Sequence, residues 1–191
     1  MTSPATMPFT FTICGIPELP EHSAAGITHV LSILDPGYPD PEAFGAYGEH
    51  ARLELRFHDA IDQRPGEEMP QPEHVEALLR FGREMMAEPG EKRLLVHCHA
   101  GVSRSTAATT LLLAQSAPDI DAATIMAEVA RIREKAWPNL RMIEIGDAML
   151  GRGGTLIQAV RARHREMAIK MPSLVQFMAG VGREREVTEF L

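Results

Sequence analysis

At 191 residues the chain can form one domain with a real core, and 45% hydrophobic with 24% charged residues is the composition of an ordinary globular protein. A formal net charge of -7 with no lysine-arginine run argues against a nucleic-acid partner, and no apolar stretch nears the ~20 residues that cross a bilayer. Cys14 and Cys98 cannot build a disulfide framework, and Met1–Pro8 lacks a charged leader before an apolar block, so a cytoplasmic protein without a secretory signal is expected.

In chain order, Phe9, Phe11 and Ile13 alternate with Thr10, Thr12 and Cys14, which predicts a half-buried strand. Ile27 to Leu34 reads as a second strand, closed by Asp35-Pro36-Gly37, and the Pro- and Gly-rich segment to Gly48 as a loop with a short helix. Leu53, Leu55 and Phe57 alternate with polar residues in a third strand that stops near Asp59, followed by a polar loop from Asp62 to Gln71. Val75, Leu78, Leu79, Met85 and Met86 recur at helical spacing before Pro89-Gly90, and Leu94-Leu95-Val96 has the unbroken apolarity of a buried strand.

From Ser105 the pattern turns helical, first to about Gln115. Asp121 is placed to cap a helix bearing Ile125, Met126, Val129 and Ile132, and Asn139 to cap another through about Leu150. Gly151 to Gly154 separates this from a helix running from Thr155 to about Ala168, while 172–191 is weakly patterned. The expectation is one α/β domain over 1–191. Its central sheet, mixed or parallel, has about four to five strands flanked by helices, and its catalytic core spans about 8–170.

Chemistry concentrates in His97-Cys98-His99-Ala100-Gly101-Val102-Ser103-Arg104-Ser105-Thr106, between a buried strand and a helix start. A loop entering a helix turns several N–H groups toward one point, which the helix dipole makes positive. Gly101 permits a tight turn and close backbone approach to a ligand. Arg104, six residues after Cys98, can reach back and bind two oxygens of an anion through its planar fork. The same positive field favours a thiolate at Cys98, set for in-line attack on a bound phosphorus.

This segment resembles the signature loop of the protein tyrosine phosphatase superfamily: His-Cys, five residues, Arg, then Ser or Thr. The flanking chain is similar to the compact dual-specificity branch, in particular to bacterial predicted tyrosine phosphatases, most strongly over residues 50–115. The resemblance implies the phosphotyrosine protein phosphatase II-like fold. It implies hydrolysis of phosphotyrosine, and of phosphoserine or phosphothreonine if the pocket allows, through a phosphocysteine on Cys98. Backbone amides of His99, Ala100, Gly101, Val102, Ser103 and Arg104 would hold phosphate, which phosphate or sulfate ions would mimic. His97 would orient the loop and help keep the thiolate, and Ser105 would assist breakdown of the intermediate. No cofactor or metal is implied; substrates would be phosphorylated proteins or small phosphomonoesters, without nucleic-acid or membrane partners.

The branch also uses an upstream aspartate as general acid. Asp59, 39 residues before Cys98, stands at the matching strand end and is favoured over Asp62; Asp40 and Glu42 are more distant alternatives. Trp137-Pro138-Asn139 resembles the Trp-Pro-Asp loop of larger tyrosine phosphatases, but it follows the signature loop and its Asn cannot donate that proton, so a helix cap is expected. Cys14 is expected to be a plain strand residue rather than a resolving cysteine, and His58 and His99 to be solvated. A rhodanese-like sulfurtransferase and a non-catalytic phosphate-binding pseudophosphatase are the alternatives.

Overall fold

A computed structural model of the chain describes residues 7–188. The leader reading of Met1–Pro8 therefore falls almost wholly outside the described residues. Four strands form the sheet: β1 (Thr10–Gly15), β2 (His29–Leu34), β3 (Ala51–Arg56) and β4 (Arg93–Cys98). Their order is β1-β4-β2-β3 and every pairing is parallel, which resolves the expected mixed or parallel sheet.

The two central strands explain the apolar runs in the sequence. All six β2 residues are buried, as are the last five of β4, because both faces of the sheet are covered there. One face packs on α1 (Pro72–Ala87), α2 (Arg104–Ser116), α3 (Ala122–Ile132), α4 (Leu140–Met149) and α5 (Thr155–Lys170) through Ile13, Leu31, Ile33, Val96 and Cys98. The other carries Cys14, Val30 and Leu95 beneath two 3-10 turns, Ile16–His22 and Glu42–Ala46. Eleven of the thirteen α2 residues are buried, so α2 is the central helix of its layer. That is why Ala, Leu and Thr run along it with no single apolar stripe.

The expected caps are present. Asp121 Oδ1 accepts from the Thr124 N–H at 2.9 Å, and Asn139 Oδ1 from the Met142 N–H at 3.1 Å. The weakly patterned segment from 172 holds two helices, α6 (Pro172–Gly180) and α7 (Glu184–Val187), which fold back against α5. Residues 189–191 lie outside the described residues. Among the described residues no helix is long and apolar enough to cross a membrane.

Candidate active site

Because the sheet is parallel, the carboxyl ends of its strands lie along one edge. That edge gathers Asp35 after β2, Phe57 to Asp59 after β3, and Cys98 at the end of β4. The chain then turns through His99–Ser103 into α2. Gly101 has φ +68°, and a Cβ there would sit 2.6 Å from Cys14 O and Gly15 N. The backbone at Gly101 thus packs closely on the end of β1. Gly15 completes the contact, since its own Cβ would lie 2.9 Å from His99 O. Arg133 secures the outer side, donating to Gly101 O at 2.9 Å and Ala100 O at 2.8 Å while paired with Glu18 at 2.8 Å. With those carbonyls turned outward, none of the backbone N–H groups of Ala100–Ser103 has a hydrogen-bond acceptor among the described residues.

Arg104 is 4% exposed. Its Nη1 donates to Asp35 Oδ1 at 2.5 Å and to Phe57 O at 2.6 Å, which fixes the guanidinium plane. Its Nε is buried with no partner. An unsatisfied charged donor in a protein interior is costly, and this one belongs to the same cavity as the loop of free amides. Cys98 Sγ lies 3.2 Å from Ser105 Oγ. Asp35, read from sequence only as the residue closing β2, is the partner that aims Arg104.

Asp59 lines the same cavity as Cys98 and Arg104, with 33% of its side chain exposed. Oδ1 accepts from Ser103 Oγ at 2.7 Å and Asn139 Nδ2 at 2.8 Å; Oδ2 accepts from Arg183 Nη1 at 3.1 Å. Burial acts to raise its pKa, but the charges of Arg183 and Arg104 and the bonds from Asn139 and Ser103 outweigh it and hold the carboxyl below its usual value. Asp62 instead pairs with Arg185 at 3.1 Å and is not among the residues lining the cavity. Asp40 is tied to Arg56 at 2.7 Å. Asn139 caps α4 as expected, yet its amide also holds Asp59, so the Trp-Pro-Asn triplet touches the site after all.

The histidines depart from their expected roles. His97 is fully buried on the far side of the strand from Cys98, with Nε2 2.7 Å from Ser32 Oγ. Burial drives its pKa down to about 4, although the Cys98 backbone pulls the other way, so at neutral pH the ring is uncharged and cannot keep a thiolate by charge. His99 and His58 are not simply solvated. His99 Nε2 accepts from the Asp35 N–H at 3.2 Å with its ring 4.4 Å from Tyr38, and His58 Nδ1 accepts from the Glu68 N–H at 2.9 Å.

Cys14 pairs with His97 in the β1–β4 register, and Gly15 with Cys98. Side chains alternate along a strand, so the two thiols face opposite sides of the sheet. Burial pushes the Cys14 thiol up to about 12. A disulfide needs Cβ atoms about 3.5–4.5 Å apart on the same side, which the intact sheet forbids. After inactivation by mild peroxide, recovery in a thiol reductant is expected to be the same for Cys14→Ala as for the parent. A Cys14–Cys98 disulfide detected by mass spectrometry would contradict this.

Residues missed from sequence come chiefly from the segment after α5. Leu174, Phe177, Met178, Val181 and Arg183 wall one side of a cavity of about 440 Å³. Arg183 is 2% exposed and grips Glu186 with two nitrogens, at 2.8 and 2.7 Å. Glu186 also accepts from Trp137 Nε1 at 2.7 Å and the Leu140 N–H at 2.9 Å. Removing one member of such a buried pair typically costs about 3–5 kcal/mol. The available signal was the run of alternating charges Arg183-Glu184-Arg185-Glu186.

No family model matches the chain, and no curated protein does. Solved structures do. Human DUSP28 superposes with a TM-score of 0.54 at 17% identity over 74% of this chain and 94% of its own. DUSP15 gives 0.53 at 20% identity over 85% and 96%. PTPMT1 in complex with PI(5)P gives 0.52 at 15% identity over 75% and 91%. The fold is that of the dual-specificity and tyrosine phosphatases, as the resemblance of the signature loop implies.

Proposed function

We propose that the protein is a cysteine-dependent phosphomonoesterase acting on aryl phosphates of the phosphotyrosine type. The observation that carries this is the buried, partnerless Arg104 Nε beside Cys98 and the free amides of Ala100–Ser103. The amides and Arg104 hold the phosphate oxygens. Cys98 Sγ forms a bond to phosphorus as the ester P–O bond breaks, and Asp59 supplies the proton to the leaving oxygen. Water then attacks the phosphocysteine and gives its proton to Asp59. The P–S bond breaks, inorganic phosphate leaves, and Ser105 Oγ donates to the sulfur that recovers the electron pair.

Preference for an aryl leaving group is supported by the apolar side chains of Leu174, Phe177 and Val181, which line the same cavity as Cys98 and Arg104. Turnover of p-nitrophenyl phosphate and of phosphotyrosine peptides in excess chelator tests the reading. Sulfur transfer from thiosulfate to cyanide in the absence of phosphatase turnover would overturn it. Phe177→Ala is expected to raise KM for aryl phosphates about fivefold, equivalent to about 1 kcal/mol of lost apolar contact, while leaving glycerol phosphate nearly unchanged.

A further inference from the structure

The Asp59 carboxylate is held unevenly. Each carboxylate oxygen can accept two hydrogen bonds. Oδ1 uses both sites, on Ser103 and Asn139, while Oδ2 uses one, on Arg183. One acceptor site on Oδ2 is therefore open, and the guanidinium beside it sets where that site points. Arg183 is itself immobilised by Glu186, which is anchored in turn on Trp137 and Leu140; its Nη1 also donates to Ser103 Oγ at 2.8 Å. The chain of contacts thus runs from the start of α4 through Glu186 and Arg183 to the carboxylate at the cavity.

We propose that Arg183 is a positioning residue for the hydrolytic half of the reaction: anchored on Glu186, it fixes the Asp59 carboxylate as the acceptor of water's proton when the phosphocysteine is cleaved. In that step the water oxygen bonds to phosphorus, the P–S electron pair stays on Cys98, and the proton passes to Oδ2. A guanidinium against Oδ2 keeps the carboxylate ionised and oriented until that proton arrives; its contribution is the orientation, since the same charge makes the carboxylate a weaker base. It offers nothing to the first step when the leaving group departs without a proton. The inference rests on the reading of Asp59 as the proton-transfer group.

The test is rapid-mixing kinetics with p-nitrophenyl phosphate, which separates release of nitrophenol in the first turnover from the steady rate that follows. The double variant Arg183→Met/Glu186→Gln avoids stranding a buried charge, and its melting temperature is recorded alongside. Hydrolysis of the phosphocysteine is expected to slow about tenfold, a fraction of what a positioned acid-base group supplies, while nitrophenol release changes less than about twofold. Arg183→Lys, which keeps a donor and a charge, should recover part of the rate. Added to Asp59→Asn, the double substitution should slow hydrolysis no further, since both act through one carboxylate. Equal loss in both steps, or full additivity with Asp59→Asn, would reduce Arg183 to a structural role and overturn the proposal. If Asp59→Asn itself left hydrolysis untouched, the failure would lie with the proton-transfer reading instead.

Discussion

Cys98→Ser is expected to lower turnover of p-nitrophenyl phosphate by about 10⁴-fold or more while leaving binding of inorganic phosphate intact. The hydroxyl fits the same space but is a far poorer nucleophile in the same field. On the proposed mechanism the loop amides and Arg104 hold the phosphate, and that binding does not depend on sulfur. Arg104→Lys should lose about 10²- to 10³-fold despite keeping its charge, the range typical of removing an aligned oxyanion donor. In the native arrangement one nitrogen of Arg104 serves Asp35 and Phe57 O while Nε stays free for the ligand. A single ammonium can satisfy the protein or the phosphate, not both with the right geometry. Steady-state rates and phosphate protection against thiol alkylation read the two variants. Substantial turnover by Cys98→Ser would end the mechanism.

Asp59→Asn should reduce kcat by about 10²- to 10⁴-fold for poor leaving groups and less for those that depart unprotonated. The pH profile gives a second measurement. Proton donation requires the protonated acid, so the rate falls as pH rises through its pKa in the complex, and Asn should flatten that alkaline limb. Arg183 and Arg104 hold the free carboxyl low, while a bound phosphate dianion pushes it upward, so occupied enzyme should show the limb at higher pH than empty enzyme. Stability follows the opposite ordering. A carboxyl with a depressed folded-state value stabilises the fold above its unfolded value, and that contribution fades as pH falls through the folded one. Asp62→Asn should leave rate and profile nearly unchanged, because Asp62 pairs on the surface with Arg185. A flattened limb in Asp62→Asn alone would move the assignment there.

How much of this could be read from the chain depends on the range of each interaction. The strands were legible because alternation and short apolar runs are local patterns, and the loop because its residues are contiguous. Asp121 and Asn139 were legible as caps because a cap bonds within three residues. Asp35 was not, since its place in an Asp-Pro-Gly turn hides a partner 69 residues away. Arg183 was still less so: it meets Asp59 across 124 positions from a stretch with weak periodicity. The contacts of His97 and Gly101 were hidden for a related reason. Strand alternation turns His97 from the site, and the end of β1 takes the space beside Gly101, neither of which the loop's own letters display.

The placement of Arg183 also sets an order in time. It follows Cys98 by 85 residues, so at ~5–20 residues per second a ribosome takes roughly 4–17 seconds to add it after the cysteine. Through that interval the nascent chain carries the thiol and its arginine but neither the guanidinium that steadies Asp59 nor most of the apolar wall. α6 and α7 are made after the rest of the described fold and finish the cleft, so a chain arrested before them holds Cys98 without the complete cleft around it.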